Sequence, residues 1–391
     1  MQLKKDIAFI DLKAQQATIR PQIERNIQKV LNHGRYILGP EVQEFEEKLA
    51  DFCGVKHCIG VSSCTDALLM VLMARGIGPG DAVFTTPFTF IATAEIISLL
   101  GATPVFVDID PGTYNLDPAQ LKKAIKAAKE DDASIHPLPT HQFQLNPKAI
   151  IPVDLFGLPA DYDAIMETAA GHGLFVLEDA AQSVGATYKG RKTGSLGHAA
   201  AASFFPAKPL GCYGDGGAVL TDDDSLAREI ESIRVHGKGK DKYDNIRTGL
   251  NARLHTMQAA ILLAKLDIFE KELTTKQQIA ERYSQGIQDI SNRLTTPHIP
   301  EGLQSAWAQY SLVTEDRGCF QESLKKAGVP TMVYYPKPLH LQTAFQPLGY
   351  SKGDMPVSEK ISETIFSLPM HAYLSEEEID FIVGRIGETS V

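Results

Sequence analysis

The stretch Phe175-Val-Leu-Glu-Asp179-Ala-Ala-Gln182 decides the fold, because a short apolar run ends there in two carboxylates and is followed by an amide. The apolar run predicts a buried strand, and ligands of open parallel sheets lie just beyond the carboxyl ends of such strands. Asp179 is therefore placed to reach a ligand. A helix N-cap explains the same carboxylate equally well when the stretch is taken alone.

Strand and helix patterns alternate around this stretch, which predicts an α/β fold. Strands are predicted over 82–85, 104–108, 149–153 and 174–177. Helices are predicted over 21–33, 40–52, 65–75, 92–100, 117–129 and 162–172, the first with Pro21 in its first turn. Short apolar strands between helices are typical of a mostly parallel mixed sheet that helices cover on both faces.

The length of 391 residues suits two domains. We expect an N-terminal arm over 1–20, a large domain over 21–265 and a smaller α+β domain over 266–391. A long helical pattern over 254–290 is predicted to link the two domains, and a last helix is predicted over 376–386. The segment 131–147 has three prolines and no hydrophobic period, so we expect a surface loop there.

Composition narrows the functional classes. The net charge of −10 argues against a nucleic-acid partner. The apolar runs are too short for a membrane span, and 43% of the residues are hydrophobic, as in ordinary globular proteins. The five cysteines form no CxxC pair, which argues against a zinc site or a disulfide framework. We therefore expect a cytoplasmic protein without a bound metal.

A second stretch, Ser203-Phe-Phe-Pro-Ala-Lys208-Pro-Leu-Gly-Cys-Tyr-Gly-Asp-Gly-Gly217, has a lysine between an aromatic run and a glycine cluster. A lysine in apolar surroundings loses its proton readily, and a neutral amine can form a Schiff base. Most single lysines are solvated surface residues, so this hypothesis depends on the flanking sequence.

Two further stretches suit anion binding. Ser63, Cys64 and Thr65 stand at a predicted helix start, where free N–H groups bind phosphate. Asn251 and Arg253, two residues apart, suit recognition of phosphate or carboxylate. For each stretch alone, an ordinary helix start is the commoner explanation.

The order of these stretches along one chain resembles the DegT/StrS-type nucleotide-sugar aminotransferases, which are fold-type-I enzymes that use pyridoxal 5′-phosphate (PLP). The resemblance covers nearly the whole chain, including 34–40, 87–93, 178–182, 336–340 and 367–371. It implies that L-glutamate gives its amino group to the cofactor, forming pyridoxamine 5′-phosphate (PMP) and 2-oxoglutarate, and that a nucleotide-linked keto-sugar then receives it. The expected acceptor is UDP-2-acetamido-2-deoxy-3-oxo-glucuronate, aminated at C3 for O-antigen or another surface polysaccharide.

The resemblance also implies roles for single residues. Lys208 is expected to hold PLP as a Schiff base and to move the proton, while Asp179 pairs with the ring nitrogen. The other expected cofactor contacts are Gln182 at the ring hydroxyl, Phe90 rather than Phe88 on the ring face, Ser63, Cys64, Thr65 and Ser203 at the phosphate, and Asn251 from a second subunit. A homodimer with shared sites is therefore expected. The expected substrate contacts are Tyr36, Arg253, Tyr334, Tyr335 and His340.

Two positions depart from the family pattern. Cys64 stands where many relatives have glycine, and a positive φ would strain a cysteine there. Tyr334 stands where a histidine is expected in enzymes that act on 3-keto-uronates. Tyrosine can only hydrogen-bond a sugar acid, whereas histidine can carry a charge. A UDP- or dTDP-linked 4-keto-6-deoxy sugar therefore stays open as the acceptor.

Other activities are less consistent with these residues. Relatives that dehydrate the sugar at C3 lack the lysine, so Lys208 argues against that reaction. A non-catalytic regulator with this fold is a further hypothesis, but the complete set of Asp179, Gln182, Ser203 and Lys208 argues against it. A dehydrogenase is disfavoured because Gly214-Asp-Gly-Gly217 is not a dinucleotide-binding fingerprint.

Overall fold

The computed structural model describes residues 7–141, 144–241 and 243–390. Its strands are β1 (His57–Val61), β2 (Asp81–Thr85), β3 (Thr103–Phe106), β4 (Asn146–Ile151), β5 (Phe175–Asp179), β6 (Thr187–Tyr188), β7 (Arg191–Lys192), β8 (Ala199–Ser203), β9 (Gly217–Thr221), β10 (Leu303–Gln304), β11 (Tyr310–Val313) and β12 (Ile365–Leu368). The central sheet has seven strands in the order β1-β9-β8-β5-β4-β2-β3. The run from β8 to β3 is parallel, and β9 is antiparallel to both β8 and β1. The predicted mostly parallel mixed sheet is confirmed.

The α-helices are α1 (Leu12–His33), α2 (Pro40–Cys53), α3 (Cys64–Ala74), α4 (Ala92–Leu99), α5 (Pro118–Glu130), α6 (Tyr162–His172), α7 (Asp224–Ile233), α8 (Thr256–Ile290), α9 (Arg317–Lys326), α10 (Pro356–Thr364) and α11 (Glu376–Ser390). Short 3-10 turns lie at Leu155–Gly157, Leu339–Leu341 and Thr343–Leu348. The helices predicted between residues 40 and 172 are confirmed to within one or two residues. Within the described residues, no helix is both long and apolar enough to cross a bilayer.

Helices cover both faces of the central sheet because alternate strand residues point to opposite sides. On one face, Ile59, Val83 and Val219 pack with residues of α3, α4 and α7. On the other face, Leu220 packs with α2 and α8, and Phe84 packs with α5 and α6. The helices cover the two faces of the sheet and leave the ends of the strands accessible. Ligands bind at the strand ends in such sheets.

The first helix begins earlier than predicted. Asp11 caps it, since its carboxylate accepts a hydrogen bond of 2.8 Å from the N–H of Ala14, and Pro21 lies inside α1 rather than in its first turn. Proline weakens a helix interior because it lacks an N–H donor. Ile19 and Ile23, on either side of it, pack against Ile261 and Ala264 of α8, and this packing supports the continuous helix.

The helix α8 extends from the large core into a second one, as the pattern over 254–290 predicts. Its first half packs with α2 in the large core, whereas Tyr283 and Ile287 pack with β11, β12, α9 and α11. The predicted boundary at residue 265 lies inside α8, and the boundary at residue 20 lies inside α1. The division into an arm and two domains stays a prediction.

The loop predicted over 131–147 is anchored to the body of the protein where the structure describes it. His136 is buried, and its Nε2 lies 2.8 Å from the carbonyl oxygen of Phe106. The N–H of Thr140 donates to the carbonyl oxygen of Leu348 at 2.7 Å. The loop therefore packs on the end of β3 and on the end of the 3-10 turn Thr343–Leu348.

Candidate active site

A cleft of about 720 Å³ lies at the carboxyl ends of the parallel strands. The stretches that sequence analysis singled out converge on it: the end of β5, the start of α3, the segment 203–208 and the tyrosine pair before Pro336. The lining residues include Ser63, Cys64, Thr65, Phe90, Thr93, Asp179, Gln182, Ser203, Lys208, Asp215, Gln309, Tyr334, Tyr335 and Gln342.

Asp179 is the last residue of β5 and presents a buried carboxylate to this cleft. The hydroxyl of Thr93 donates to its Oδ2 at 2.8 Å, and the N–H of Ala181 donates to its Oδ1 at 3.2 Å. Burial raises the pKa of Asp179, whereas these two hydrogen bonds and the nearby Lys208 favour the ionised form and oppose the rise. A cationic group bound in the cleft would form an ion pair with this carboxylate.

Lys208 lies on a tight turn between β8 and β9, and its own N–H donates to the carbonyl oxygen of Phe205 at 2.9 Å. Burial lowers the pKa of its amine, and Cys64 and Asp179 oppose the change. The turn depends on Gly211, where an added Cβ would lie 2.5 Å from the carbonyl oxygen of Pro206. The turn therefore holds the backbone of Lys208 in place, and burial increases the neutral fraction of its amine. A neutral amine suits Schiff-base chemistry.

The N-terminus of α3 faces the same cleft. Ser63 caps the helix, accepting from the N–H of Asp66 at 3.0 Å, and Cys64 is the first helical residue. Cys64 is not among the described residues with positive φ, so the strain considered for a cysteine here does not arise. Gly217 lets β9 approach this turn, since a Cβ there would lie 2.4 Å from the carbonyl carbon of Ser63. The arrangement suits a phosphate group.

Gln182 and two tyrosines form a neighbouring wall. The side-chain oxygen of Gln182 accepts from the N–H of Phe156 at 2.9 Å, and its nitrogen donates to the hydroxyl of Tyr335 at 3.4 Å. Burial raises the pKa of Tyr334 and that of Tyr335, so both hydroxyls are neutral donors and acceptors near pH 7. This wall can therefore hydrogen-bond a ligand without contributing a charge.

The two aromatic candidates for stacking occupy different environments. Phe90 lines the cleft and is 56% exposed, whereas Phe88 is fully buried and packs edge-on against Phe156 and Tyr335. Only Phe90 is therefore available to a ring in the cleft.

Tyr36, Asn251 and Arg253 do not line the cleft of their own chain. The Arg253 guanidinium hydrogen-bonds the side-chain oxygen of Asn251, and residue 253 pairs with Val61 at the end of β1. Tyr36 is 50% exposed on the chain between α1 and α2. Their expected roles stay predictions that depend on a second copy of the chain.

The expectation that His340 contacts the substrate is not supported by its position. Its side chain is fully enclosed and its Nε2 lies 3.0 Å from a carboxylate oxygen of Glu359 at the start of α10. It is not among the residues that line the cleft. The motif 336–340 does not indicate that its histidine is enclosed, whereas the two tyrosines before the motif line the cleft.

Sequence analysis did not single out several polar residues of the site. Thr93 hydrogen-bonds Asp179, and Asp215, Gln309 and Gln342 also line the cleft. Thr93 ends the aromatic stretch 87–93 that carried part of the resemblance, so its position in that motif was an available signal. Gln309 lies immediately before β11, a strand whose position at the cleft depends on long-range packing.

A buried carboxylate, an amine of lowered pKa, an exposed aromatic ring and a helix N-terminus surround one cleft. These groups suit the ring nitrogen, aldehyde, ring face and phosphate of PLP, so the class of protein that this site fits is a PLP-dependent aminotransferase. The chain belongs to the DegT/DnrJ/EryC1/StrS aminotransferase family, whose sequence profile matches residues 17–387.

Individual relatives match over nearly their whole length. The chain is 50% identical over 380 residues to the UDP-2-acetamido-2-deoxy-3-oxo-D-glucuronate aminotransferase of Pseudomonas aeruginosa, covering 97% of this chain and 99% of that protein. A crystal structure of a family member from Brucella abortus has a TM-score of 0.93 and 50% identity, with 98% and 99% of the two chains covered. DesV of Streptomyces venezuelae, solved with a ketimine intermediate, has a TM-score of 0.90 and 35% identity, with 98% of each chain covered.

Solved relatives also identify the cofactor. A sugar aminotransferase from Streptococcus pneumoniae has been solved in its PLP form and NtdA of Bacillus subtilis with PMP, each 26% identical to this chain, with TM-scores of 0.83 and 0.86. The described cleft fits PLP, because Asp179, Lys208 and the start of α3 provide partners for its ring nitrogen, aldehyde and phosphate. The predicted cofactor and the aminotransferase activity are confirmed.

Proposed function

We propose that this aminotransferase moves the amino group of L-glutamate to C3 of UDP-2-acetamido-2-deoxy-3-oxo-glucuronate, on the way to a surface polysaccharide. The observation that carries the proposal is the 50% identity, over 97% of the chain, to a protein named for that substrate. We further propose that the protein works in the cytoplasm as a homodimer.

The cleft supports specific roles for its residues. When bound, PLP supplies an electron sink that lets a proton move between the two carbon atoms flanking the transferred nitrogen. The Asp179 carboxylate would hold positive charge at the ring nitrogen. The Lys208 amine, whose pKa is lowered by burial, would take up and return the moving proton at Nζ. Phe90 would cover the ring face, and the first turn of α3 would hold the phosphate.

Recognition of a uronate needs donors for its carboxylate. Among the described residues that line the cleft, Lys208 is the sole lysine, arginine or histidine. The hydroxyls of Tyr334 and Tyr335 are neutral donors in the wall of the cleft that they form with Gln182. We propose that Arg253 of a second copy supplies the positive charge, with Asn251 beside it at the phosphate. The uronate assignment and the homodimer therefore depend on each other.

The neutral tyrosines that line the cleft also suit a second candidate substrate. A 4-keto-6-deoxy sugar carries no carboxylate, so a cleft lined by neutral tyrosines would suit it without any contribution from Arg253. The two candidates differ in whether removal of the Arg253 charge impairs turnover of the sugar.

A substrate panel distinguishes them. Wild-type protein and Arg253→Gln would be assayed with the UDP-linked 3-keto-uronate, its neutral 3-keto analogue and a 4-keto-6-deoxy sugar. The proposal predicts that the uronate is the best wild-type substrate and that Arg253→Gln loses about 10-fold or more in kcat/KM for it alone. Preference for the 4-keto-6-deoxy sugar, unchanged in the variant, would support the second candidate.

Mixing variants tests the shared sites. Lys208→Ala and Arg253→Gln would be unfolded, mixed and refolded together, so that half of the dimers carry both variants. If Arg253 acts across the interface, the mixture regains about a quarter of the wild-type activity, because one site of each mixed dimer is intact. No gain over the separate variants would contradict the homodimer with shared sites.

A further inference from the structure

Behind the cofactor carboxylate lies a second pair of carboxyl groups, Asp154 and Glu178. Both side chains have no solvent exposure, and the two carboxyl groups lie close enough to influence each other's pKa. Glu178 precedes Asp179 in β5, and the N–H of Asp154 donates to the carbonyl oxygen of Asp179 at 3.1 Å. The pair thus adjoins Asp179 from its own strand and from the neighbouring turn.

Six protein donors reach the four oxygens of the pair. Asp154 accepts from the N–H of Ala160 at 3.0 Å, the hydroxyl of Tyr162 at 2.9 Å and the hydroxyl of Ser183 at 2.8 Å. Glu178 accepts from the N–H groups of Gly194, Leu196 and Gly197. No lysine, arginine or histidine hydrogen-bonds either carboxyl in the described part of the chain.

The acceptor arithmetic leaves room for one proton. Two carboxyl groups offer about eight lone-pair positions, of which the six donors fill six. A single proton shared between the groups uses the remaining two, one by its covalent bond and one by its hydrogen bond. Two buried carboxylates in contact, without a cation, would repel each other strongly.

We propose that Asp154 and Glu178 share one proton at neutral pH and act together as a positioning pair for Asp179 and Gln182. Asp154 holds the backbone of Asp179, and its bond to Ser183 fixes the residue after Gln182. The turn that begins at Asp154 also supplies the N–H of Phe156 to the Gln182 side chain. With one proton retained, the pair places a single negative charge, rather than two, behind Asp179.

The surroundings agree with a retained proton. Burial raises the pKa of Asp154 well above its usual value and raises that of Glu178 to about 7. The titratable groups that face the pair are Tyr162, Cys53 and Asp179; burial raises the pKa of Tyr162 and that of Cys53, so neither supplies a charge near pH 7. The amine of Lys192, the cation that affects Cys53, donates to the carbonyl oxygen of Gly185 and, among the described residues, hydrogen-bonds neither carboxyl.

The sign of the resulting pH dependence follows from linkage. The folded protein binds a proton that the unfolded chain releases above about pH 4–5, so the pair stabilises most at low pH. This contribution is lost as the pH rises through the raised pKa of the folded pair. In Asp154→Asn the amide can donate to Glu178 in place of the shared proton, so the variant keeps one negative charge but has no proton to lose.

The test uses protein without sugar, and its first two readouts also omit the cofactor. Infrared spectra at pH 7 are expected to show the carbonyl band of a buried protonated carboxylic acid in wild type but not in Asp154→Asn. Urea unfolding from pH 5 to 8 is expected to show the wild-type unfolding equilibrium constant rising relative to the variant, by up to about tenfold per pH unit. Asp163→Asn, an exposed carboxylate on α6, is the matched control and should behave like wild type.

A third readout tests the positioning role. Asp154→Ala leaves the three donors without an acceptor and is expected to weaken PLP binding at least about fivefold, whereas Asp154→Asn stays within about twofold of wild type. If Asp154→Ala does not fold, Ser183→Ala replaces it, since it removes the link to Gln182 alone. A missing acid band, parallel pH profiles, or equal PLP affinity in all variants would each overturn the proposal. The result is independent of which sugar the enzyme aminates.

Discussion

The hydroxyl of Thr93 donates a hydrogen bond of 2.8 Å to Oδ2 of Asp179. Thr93 lies in the first turn of α4 and Asp179 ends β5, so this bond joins the aromatic stretch 87–93 to the strand that carries the cofactor carboxylate. Of the groups that keep the pKa of Asp179 from rising further, Thr93 has the largest effect. It therefore favours the ionised form of Asp179, which the proposed contact with the cofactor ring needs.

Thr93→Val should weaken cofactor binding without unfolding the protein. The variant keeps the shape of the side chain but loses a hydrogen bond to a charged group, which is expected to raise the PLP dissociation constant about 10-fold or more. Fluorescence titration of the apoprotein with PLP measures this. Thr93→Ser should recover the wild-type value and Ser98→Ala, at an exposed position of the same helix, should leave it unchanged; an unaffected Thr93→Val would remove Thr93 from the account.

Lys208→Ala should abolish turnover while the protein still binds PMP. The Lys208 amine is the proposed proton carrier, so we expect the rate of amino transfer to fall roughly 10³-fold or more. PMP has no aldehyde, and its binding depends on the contacts of its ring and phosphate. Turnover and PMP affinity are measured on the same preparation, and near-wild-type turnover would contradict the mechanism.

A thiol reagent should label one cysteine per native chain quickly. Cys319 is exposed, whereas Cys53, Cys58, Cys64 and Cys212 are buried, and burial raises the pKa of each of these four thiols. Thiolates are the reactive form, so the buried thiols should react slowly. Cys319→Ser should lose the fast phase in a colorimetric thiol assay. A second fast thiol in the native protein would show that Cys64 is more accessible in the cleft than described.

Lys265→Met should stabilise the protein at neutral pH. The Lys265 amine is buried on α8, 4.5 Å from the centre of the Tyr213 ring, and no hydrogen-bond partner is found for it among the described residues. Burial lowers its pKa to about 8. The folded state therefore disfavours the charged form, and wild-type stability should rise with pH between about 8 and 10.5.

The variant removes this penalty, so its advantage should be about 1–3 kcal/mol near pH 7 and should shrink above pH 8. Urea unfolding at pH 7 and pH 10 measures both values. Lys271→Met, at an exposed position of the same helix, controls for the general effect of losing a lysine. A destabilised Lys265→Met at pH 7 would indicate that the amine has a partner in the working protein.

The parts of the site that could be predicted from sequence are those with a local signature. Asp179 follows an apolar strand, Lys208 stands beside a glycine cluster, and Cys64 begins a helix, so strand ends and turns alone bring them to one edge of the sheet. The resemblance then supplied their roles. The same local signals located α2 to α6 and the long helix α8.

The remaining features depend on contacts between distant segments. Asp154 and Thr93 contact Asp179 from other elements. Thr93 ends the stretch 87–93 that carries part of the resemblance, but no local pattern pairs either residue with Asp179. His340 was misplaced because its motif does not reveal the pairing with Glu359. The start of α1 was missed because packing on α8 outweighs the local effect of Pro21. The expected roles of Asn251 and Arg253 depend on a second copy, which one chain cannot provide.

The central claim is tested most directly by following the absorbance of the purified PLP protein through one full cycle. The account predicts that L-glutamate converts the PLP band to the PMP band. Addition of UDP-2-acetamido-2-deoxy-3-oxo-glucuronate should then restore the PLP band with one equivalent of aminated sugar formed. Recovery with a 4-keto-6-deoxy sugar but not with the uronate would contradict the proposed substrate. No change on adding glutamate would contradict the proposed amino donor.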